Sequence, residues 1–363
     1  MGWPRIRMEM VLAGLGWCTV LNGWSMGQGT TESALGSQHS TTRRACIVVG
    51  APGEPTYGTM FQSWSQEWKS VFQENEVTWV KAEEPSGDSN RVQVEVGADA
   101  VALPNASVVE RVGVNDRDAV LDWVSTAEKE TDEHWLILIG HGTHDAKSTK
   151  FNLVGPDLSA DDLGRAMSGK PGRWIVLVCA SCSGPFLAKL AGPNRIVITA
   201  TKSGAEQNLS RFGKYFSESA HDEASDLDHD KAVSALEMFL AASDRVARYY
   251  ADQGLLATEQ ALIDDTGDGK GTPATFYRGV RAVKSAAGNA SLDGELARRT
   301  VAWRNGLFDW GSSEVLDQME RDLERLRGMK ATMEPDAYYV ALERLFRRLG
   351  RQDVGGVEPS VDR

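Results

Sequence analysis

The chain has 363 residues, of which 41% are hydrophobic, 8% aromatic and 25% charged, with a formal net charge of −12. That length can bury a sizeable core and suits one large domain or a domain with an appendage. The composition excludes a disordered chain, no apolar run reaches the ~20 residues of a membrane-spanning helix, and the acidic balance argues against nucleic acid or an anionic membrane as main partner.

At the N-terminus, Arg5 and Arg7 precede an apolar stretch from Met10 to Leu21, and Ser25 and Gly27 flank Met26 just beyond it. Charge, apolar core and small residues in that order predict a secretory signal peptide over residues 1–27, hence a secreted or periplasmic protein starting near Gln28. Cleavage would remove two arginines and one glutamate, taking the charge from −12 to −13. The bulky Trp17 before Cys18 argues against lipidation. Three cysteines would remain, Cys46, Cys179 and Cys182, an odd number that makes no disulfide framework and leaves at least one free thiol. Residues 28–42, rich in Gly, Ser, Thr and Gln, read as a linker.

The folded part opens with ACIVVG (45–50), a turn-rich APGEPTYG and a helix-spaced MFQSWSQEWKSVF. Similar apolar runs recur at VTWV (77–80), HWLILIG (134–140), RWIVLVCA (173–180) and RIVITAT (195–201), with helical patterns such as DRDAVLDWVSTAEKE between them. Continuous rather than alternating apolar strands are buried on both faces, so an α/β domain over 43–220 is expected, with a mostly parallel central sheet flanked by helices. Residues 221–290 read as an acidic helical segment. Residues 291–363 read as a C-terminal helical hairpin, because Leu316, Met319, Leu323 and Leu326 repeat at three and four, as do Tyr338, Leu342, Leu345 and Leu349, with Pro335 between.

Two strands end on chemistry, since HWLILIG runs into His141 and Gly142, and IVLVCA into Ser181, Cys182, Ser183 and Gly184. In open α/β sheets the site lies outside the carboxyl ends of the strands. An imidazole beside a thiol generates the thiolate nucleophile, and Gly142 can offer its backbone N–H, with that of residue 182, as an oxyanion hole. Cys179 and Cys182 also form a CxxC pair, but no second pair or histidine cluster supports zinc.

LILIGHG (136–142) and VCASCSG (178–184) resemble the caspase and legumain superfamily of cysteine peptidases, in which one strand ends in His-Gly and the next in the nucleophile followed shortly by Gly. VVGAPGEPTYGTMF, KFNLVGPDLSADDL, SGPFLAKLAGPNRIVITATKSGAEQN and GLLATEQALIDDTGDGKG resemble a bacterial legumain-like branch, so the likeness spans about 45–285. The resemblance implies a caspase-hemoglobinase-like fold and a cysteine endopeptidase with His141 as base. The caspase register, Ala-Cys-Arg-Gly, puts Cys182 at the nucleophile. The legumain register, Ala-Cys-Glu-Ser-Gly, laid on Gly184, puts Ser181 there and Cys182 at the Glu. Three functions stay open: a cysteine peptidase using Cys182, a silent peptidase-like scaffold that binds a protein partner, and a hydrolase in which Ser181 acts. None needs a catalytic cofactor.

The acidic segment carries its own pattern. Asp226, Asp228, Asp230, Ser234 and Glu237 occupy positions 1, 3, 5, 9 and 12 of an EF-hand calcium loop, with Lys231 where position 6 prefers Gly. Asp264, Thr266 and Asp268, followed by Gly269, begin a second such loop but meet Thr275 instead of the closing Glu. Structural calcium is therefore expected in the C-terminal extension, more weakly at the second loop.

Overall fold

The computed structural model describes residues 42–72, 77–82, 92–93, 115–129, 132–286, 291–304, 322–323, 325–327, 329–330 and 332–353. The expected signal peptide and nearly all of the linker lie outside them, as do Leu316 and Met319 of the expected hairpin.

The predicted apolar runs form strands. These are β1 (Arg43–Val49), β2 (Val77–Ala82), β4 (Glu133–Ile139), β8 (Arg173–Cys179) and β9 (Arg195–Thr199). Shorter strands are β3 (Val92–Gln93), β5 (Gly142–His144), β6 (Thr149–Phe151), β7 (Leu158–Ser159), β10 (Ala232–Ser234), β11 (Leu262–Asp264) and β12 (Thr272–Pro273). The central sheet has eight strands in the order β12-β11-β9-β8-β4-β1-β2-β3. Its five long strands are parallel, and β3, β11 and β12 pair antiparallel at the two edges.

Both faces of the sheet are covered. Helices α1 (Pro55–Gln66), α5 (Phe212–Ser219) and α6 (Ala235–Asp252) bury Phe61, Trp64, Phe212, Phe216 and Phe239 against Ile47, Trp135, Ile137, Ile175 and Leu177. On the other face α2 (Asp116–Ser125), α3 (Ala160–Met167) and α4 (Phe186–Leu190) bury Trp123, Leu163, Met167 and Leu187 against Leu136, Leu138, Val176 and Val178. Alternate residues of β4 and β8 thus feed two apolar layers, which is why their sequences show no polar face. Local signals set the helix starts: Asn115 and Ser159 accept from the N–H groups of Asp118 and Asp162, and Pro55 opens α1.

The expected boundary near residue 220 is not a structural break. α6 packs on α5, and β11 extends the central sheet by pairing with β9, so these elements of the expected acidic segment belong to the α/β body. The reason is physical: α6 buries Leu236, Met238, Phe239 and Val246, and that apolar stripe covers the sheet. Further on, the described helices include α7 (Glu295–Arg299) and α8 (Pro335–Asp353), the latter matching the second arm of the expected hairpin, with Tyr338 and Leu345 buried. Among the described residues no helix is long and apolar enough to cross a membrane.

Candidate active site

β4 and β8 are neighbours in register, with Ile139 opposite Cys179. His141 and Ser181 therefore each stand two residues beyond paired positions at the carboxyl end of the sheet. Ser181 Oγ accepts from the Gly142 N–H at 3.2 Å and donates to the Gly142 carbonyl at 3.1 Å. Gly142 must be glycine for a steric reason, since a Cβ there would fall 2.2 Å from the Ser181 carbonyl oxygen.

The His141 ring is half-buried against α1, with its centroid 5.0 Å from those of Tyr57 and Phe61. Burial lowers its pKa, while the Pro52 carbonyl facing the ring works the other way. An imidazole kept neutral and oriented by a carbonyl is suited to act as a base. Pro52 and Tyr57 come from the turn-rich APGEPTYG after β1, whose role was not evident from residue types.

Cys182 sits differently. It is 2% exposed, has φ 56° in the left-handed region, and its N–H donates to the Glu206 carbonyl at 2.8 Å. Burial pushes its thiol pKa up, the backbone N–H of His144 pulls it down, and the Glu206 charge raises it again. Among the described residues no hydrogen bond joins the His141 ring to Cys182 or to Ser181. Both expected oxyanion donors, the N–H groups of Gly142 and Cys182, are engaged within the chain. His144 accompanies the thiol only through its backbone; its ring bonds Thr149 Oγ1 at 2.7 Å and lies against Gly204.

Of the five expected ligands in the first acidic loop, three are drawn together, and Asp230 and Ser234 are not part of the group. Carboxylate oxygens of Asp226, Asp228 and Glu237 lie within 4.8 Å of one another. Ser234 caps α6, and Glu237 completes a capping box, accepting from the Ser234 N–H and hydroxyl at 2.8 and 2.7 Å and from the Leu227 N–H at 2.8 Å. Asp226 accepts from the N–H groups of Asp230 and Lys231, and Lys231 adopts φ 68°. Burial raises the carboxyl pKa of Asp228 and Glu237, and neighbouring carboxylates add to it. An all-oxygen set whose members repel one another fits a hard divalent cation.

The second acidic stretch is arranged as a turn. Asp264 is fully buried and accepts from the N–H groups of Thr266, Gly267 and Gly269, while Asp268 accepts from that of Lys270. Among the described residues these carboxylates do not gather into a metal-ligating group.

No family model matches the chain, and no curated protein matches it. Among solved structures it is similar to a secreted C11 cysteine protease from Bacteroides thetaiotaomicron, determined in complex with an irreversible peptide inhibitor. Identity is 11% and the TM-score 0.33, over 61% of this chain and 66% of that one, just under two thirds of its length. At that level neither activity nor substrate transfers, and the α/β class with a mostly parallel sheet stands on the strand pairing itself.

Proposed function

We propose that this chain is an exported, peptidase-like hydrolase whose reacting groups lie at the carboxyl ends of β4 and β8, with His141 as base and Ser181 at the nucleophile position. The observation that supports it is the register: Ile139 faces Cys179, so Ser181 stands beside the His141-Gly142 pair and touches Gly142 directly. In the reaction His141 takes the Ser181 proton as Oγ attacks the carbonyl carbon of a peptide. Attack withdraws Oγ from Gly142 and releases that N–H for the developing oxyanion. Cys182, buried and tied to the 200–206 loop, then serves structure. Ser181 is 3% exposed and Cys182 2%, so either nucleophile, including Cys182 in the cysteine-peptidase version, must be uncovered before it attacks.

A second reading, a scaffold that binds a protein without cutting it, is favoured by one observation: the Ser181 hydroxyl is held by both polar groups of Gly142. Calcium at Asp226, Asp228, Asp230, Ser234 and Glu237 belongs to either reading as a structural ion that would fix the start of α6.

Covalent labelling separates these readings. A fluorophosphonate that modifies wild type and fails on Ser181→Ala and His141→Ala supports the serine hydrolase. Labelling of Cys182 by a peptidyl electrophile, lost in His141→Ala, would replace it with the cysteine peptidase. No labelling by either, with peptide binding retained, leaves the scaffold.

A further inference from the structure

α8 is apolar on two sides. One side carries Tyr338 and Leu345, which are 6% and 8% exposed. The Lys330 ammonium lies over the Tyr338 ring at 5.5 Å, and Arg348 pairs with Asp322 at 3.5 Å, so this side is turned toward residues 322–330. The other side carries Tyr339 and Phe346, two turns apart, with the half-buried Leu342 between them. Tyr339 is 59% exposed and Phe346 53%. Positions i, i+3 and i+7 fall in one stripe, the spacing of a helix that packs against another helix. A single exposed apolar side chain needs no explanation, but an aromatic stripe marks an interaction surface.

The charges of α8 are segregated along its length. Glu334, just before the helix, and Asp336 stand at its N-terminal end, whereas Arg344, Arg347 and Arg348 stand in its C-terminal half. Glu343 Oε1 accepts from Arg347 at 2.7 and 3.0 Å, which holds that guanidinium beside the aromatic stripe. Asp336 lies on the same flank, because positions 336, 343 and 347 are seven and eleven residues apart.

This order selects one arrangement of two such helices. Run antiparallel about a two-fold axis, with Tyr339 of each copy against Phe346 of the other, they bring Asp336 of each within about one helical turn of Arg347 of the other. Run parallel, they set Asp336 against Asp336 and Arg347 against Arg347. Two copies of a chain with net charge −12 repel one another overall, so a contact needs local complementarity of this kind.

We infer that the stripe of Tyr339, Leu342 and Phe346 is a self-association surface, on which a second copy of the chain docks through its own α8 in antiparallel orientation. The two-fold axis closes the contact on itself, so assembly stops at the dimer. One helix pair is small beside a permanent interface, and the dimer therefore exchanges with monomer. The inference is independent of the hydrolase reading, because none of these residues belongs to the site at the ends of β4 and β8.

Sedimentation velocity on the full chain, over about a hundredfold range of protein concentration, tests it. The sedimentation coefficient should rise from that of a monomer to that of a dimer. Tyr339→Glu combined with Phe346→Glu, both at exposed positions, should raise the dimer dissociation constant at least about tenfold and leave the melting temperature of the dilute protein unchanged. Asp336→Arg should weaken the dimer several-fold, and adding Arg347→Asp should restore it. A chain that stays monomeric throughout, or a dimer that survives the paired glutamates, overturns the inference. A charge swap that restores nothing overturns the antiparallel arrangement. A monomer that instead binds vesicles of anionic lipid through Tyr339 and Phe346 replaces the second copy with a membrane surface.

Discussion

The hydroxyl of Ser181 bridges the N–H and the carbonyl of Gly142, at 3.2 and 3.1 Å. One side chain thus meets both polar groups of a residue on the adjacent strand end, in partly buried surroundings. Ser181→Ala should lower stability by about 1–3 kcal/mol, the cost of leaving buried polar groups unmet. Urea denaturation of both proteins measures this. An unchanged midpoint would mean that water takes over both bonds.

The described thiols should react slowly and in a fixed order. Burial pushes Cys46 up to about 12 and Cys179 higher still, while Cys182 is raised less and has the His144 N–H nearby. Iodoacetamide should modify Cys182 first, and more slowly than a free thiol at pH 7. His141→Ala should leave that rate unchanged. A rate that collapses in this variant would show that the imidazole activates the thiol.

His134 should make the fold sensitive to mild acid. Its ring is fully buried on β4, 4.5 Å from Trp174, and among the described residues neither ring nitrogen has a hydrogen-bond partner. Burial, helped by the Arg44 charge, lowers its pKa to about 4. The folded form therefore stays neutral where the unfolded chain already binds a proton, and stability falls as pH drops from about 6.5 to about 4, by on the order of 3 kcal/mol in the limit. Asp116 and Asp293, each raised to about 6 by burial, act in the opposite sense over the same range. The difference between wild type and His134→Phe in melting temperature, followed against pH, isolates the histidine; parallel curves would refute the assignment.

Lys231 should be the weak point of the proposed calcium site. At φ 68° its side chain costs about 1 kcal/mol relative to glycine, or roughly five- to tenfold in affinity. Calorimetry should show wild type binding calcium in the micromolar to millimolar range, Lys231→Gly binding more tightly, and Asp228→Asn more weakly. No heat and no rise in melting temperature at millimolar calcium would leave the loop as an acidic turn stabilised by its own N–H groups.

The five long strands were legible because each is a continuous apolar run closed by Gly, Ala or a turn, and the placement of His141 and Ser181 at strand ends followed from the same runs. That Ser181 stands opposite His141 needs only the pairing of Ile139 with Cys179. Pairing offsets between parallel strands, however, also depend on the long crossover connections that join them, which no single apolar run contains. β11 and β12 escaped notice because three- and two-residue strands carry no periodicity.

The strand order also dictates a sequence of events in time. Trp174 pairs with Arg195 across about 20 positions and Glu133 with Arg173 across about 40, whereas Arg43 must find Glu133 across about 90. Closing the longest of these loops costs about 1.3 kcal/mol more entropy than closing the shortest. β8 and β9 should therefore pair early, as should β1 and β2 across about 30 positions, while the joint between β1 and β4 closes late, so that His141 gains its Pro52 and Tyr57 neighbours only in the last stage of folding. Pulse-labelled hydrogen exchange should find Ile175 to Val178 protected before Cys46 to Val49 are protected in full; simultaneous protection would show that the sheet forms in one cooperative step.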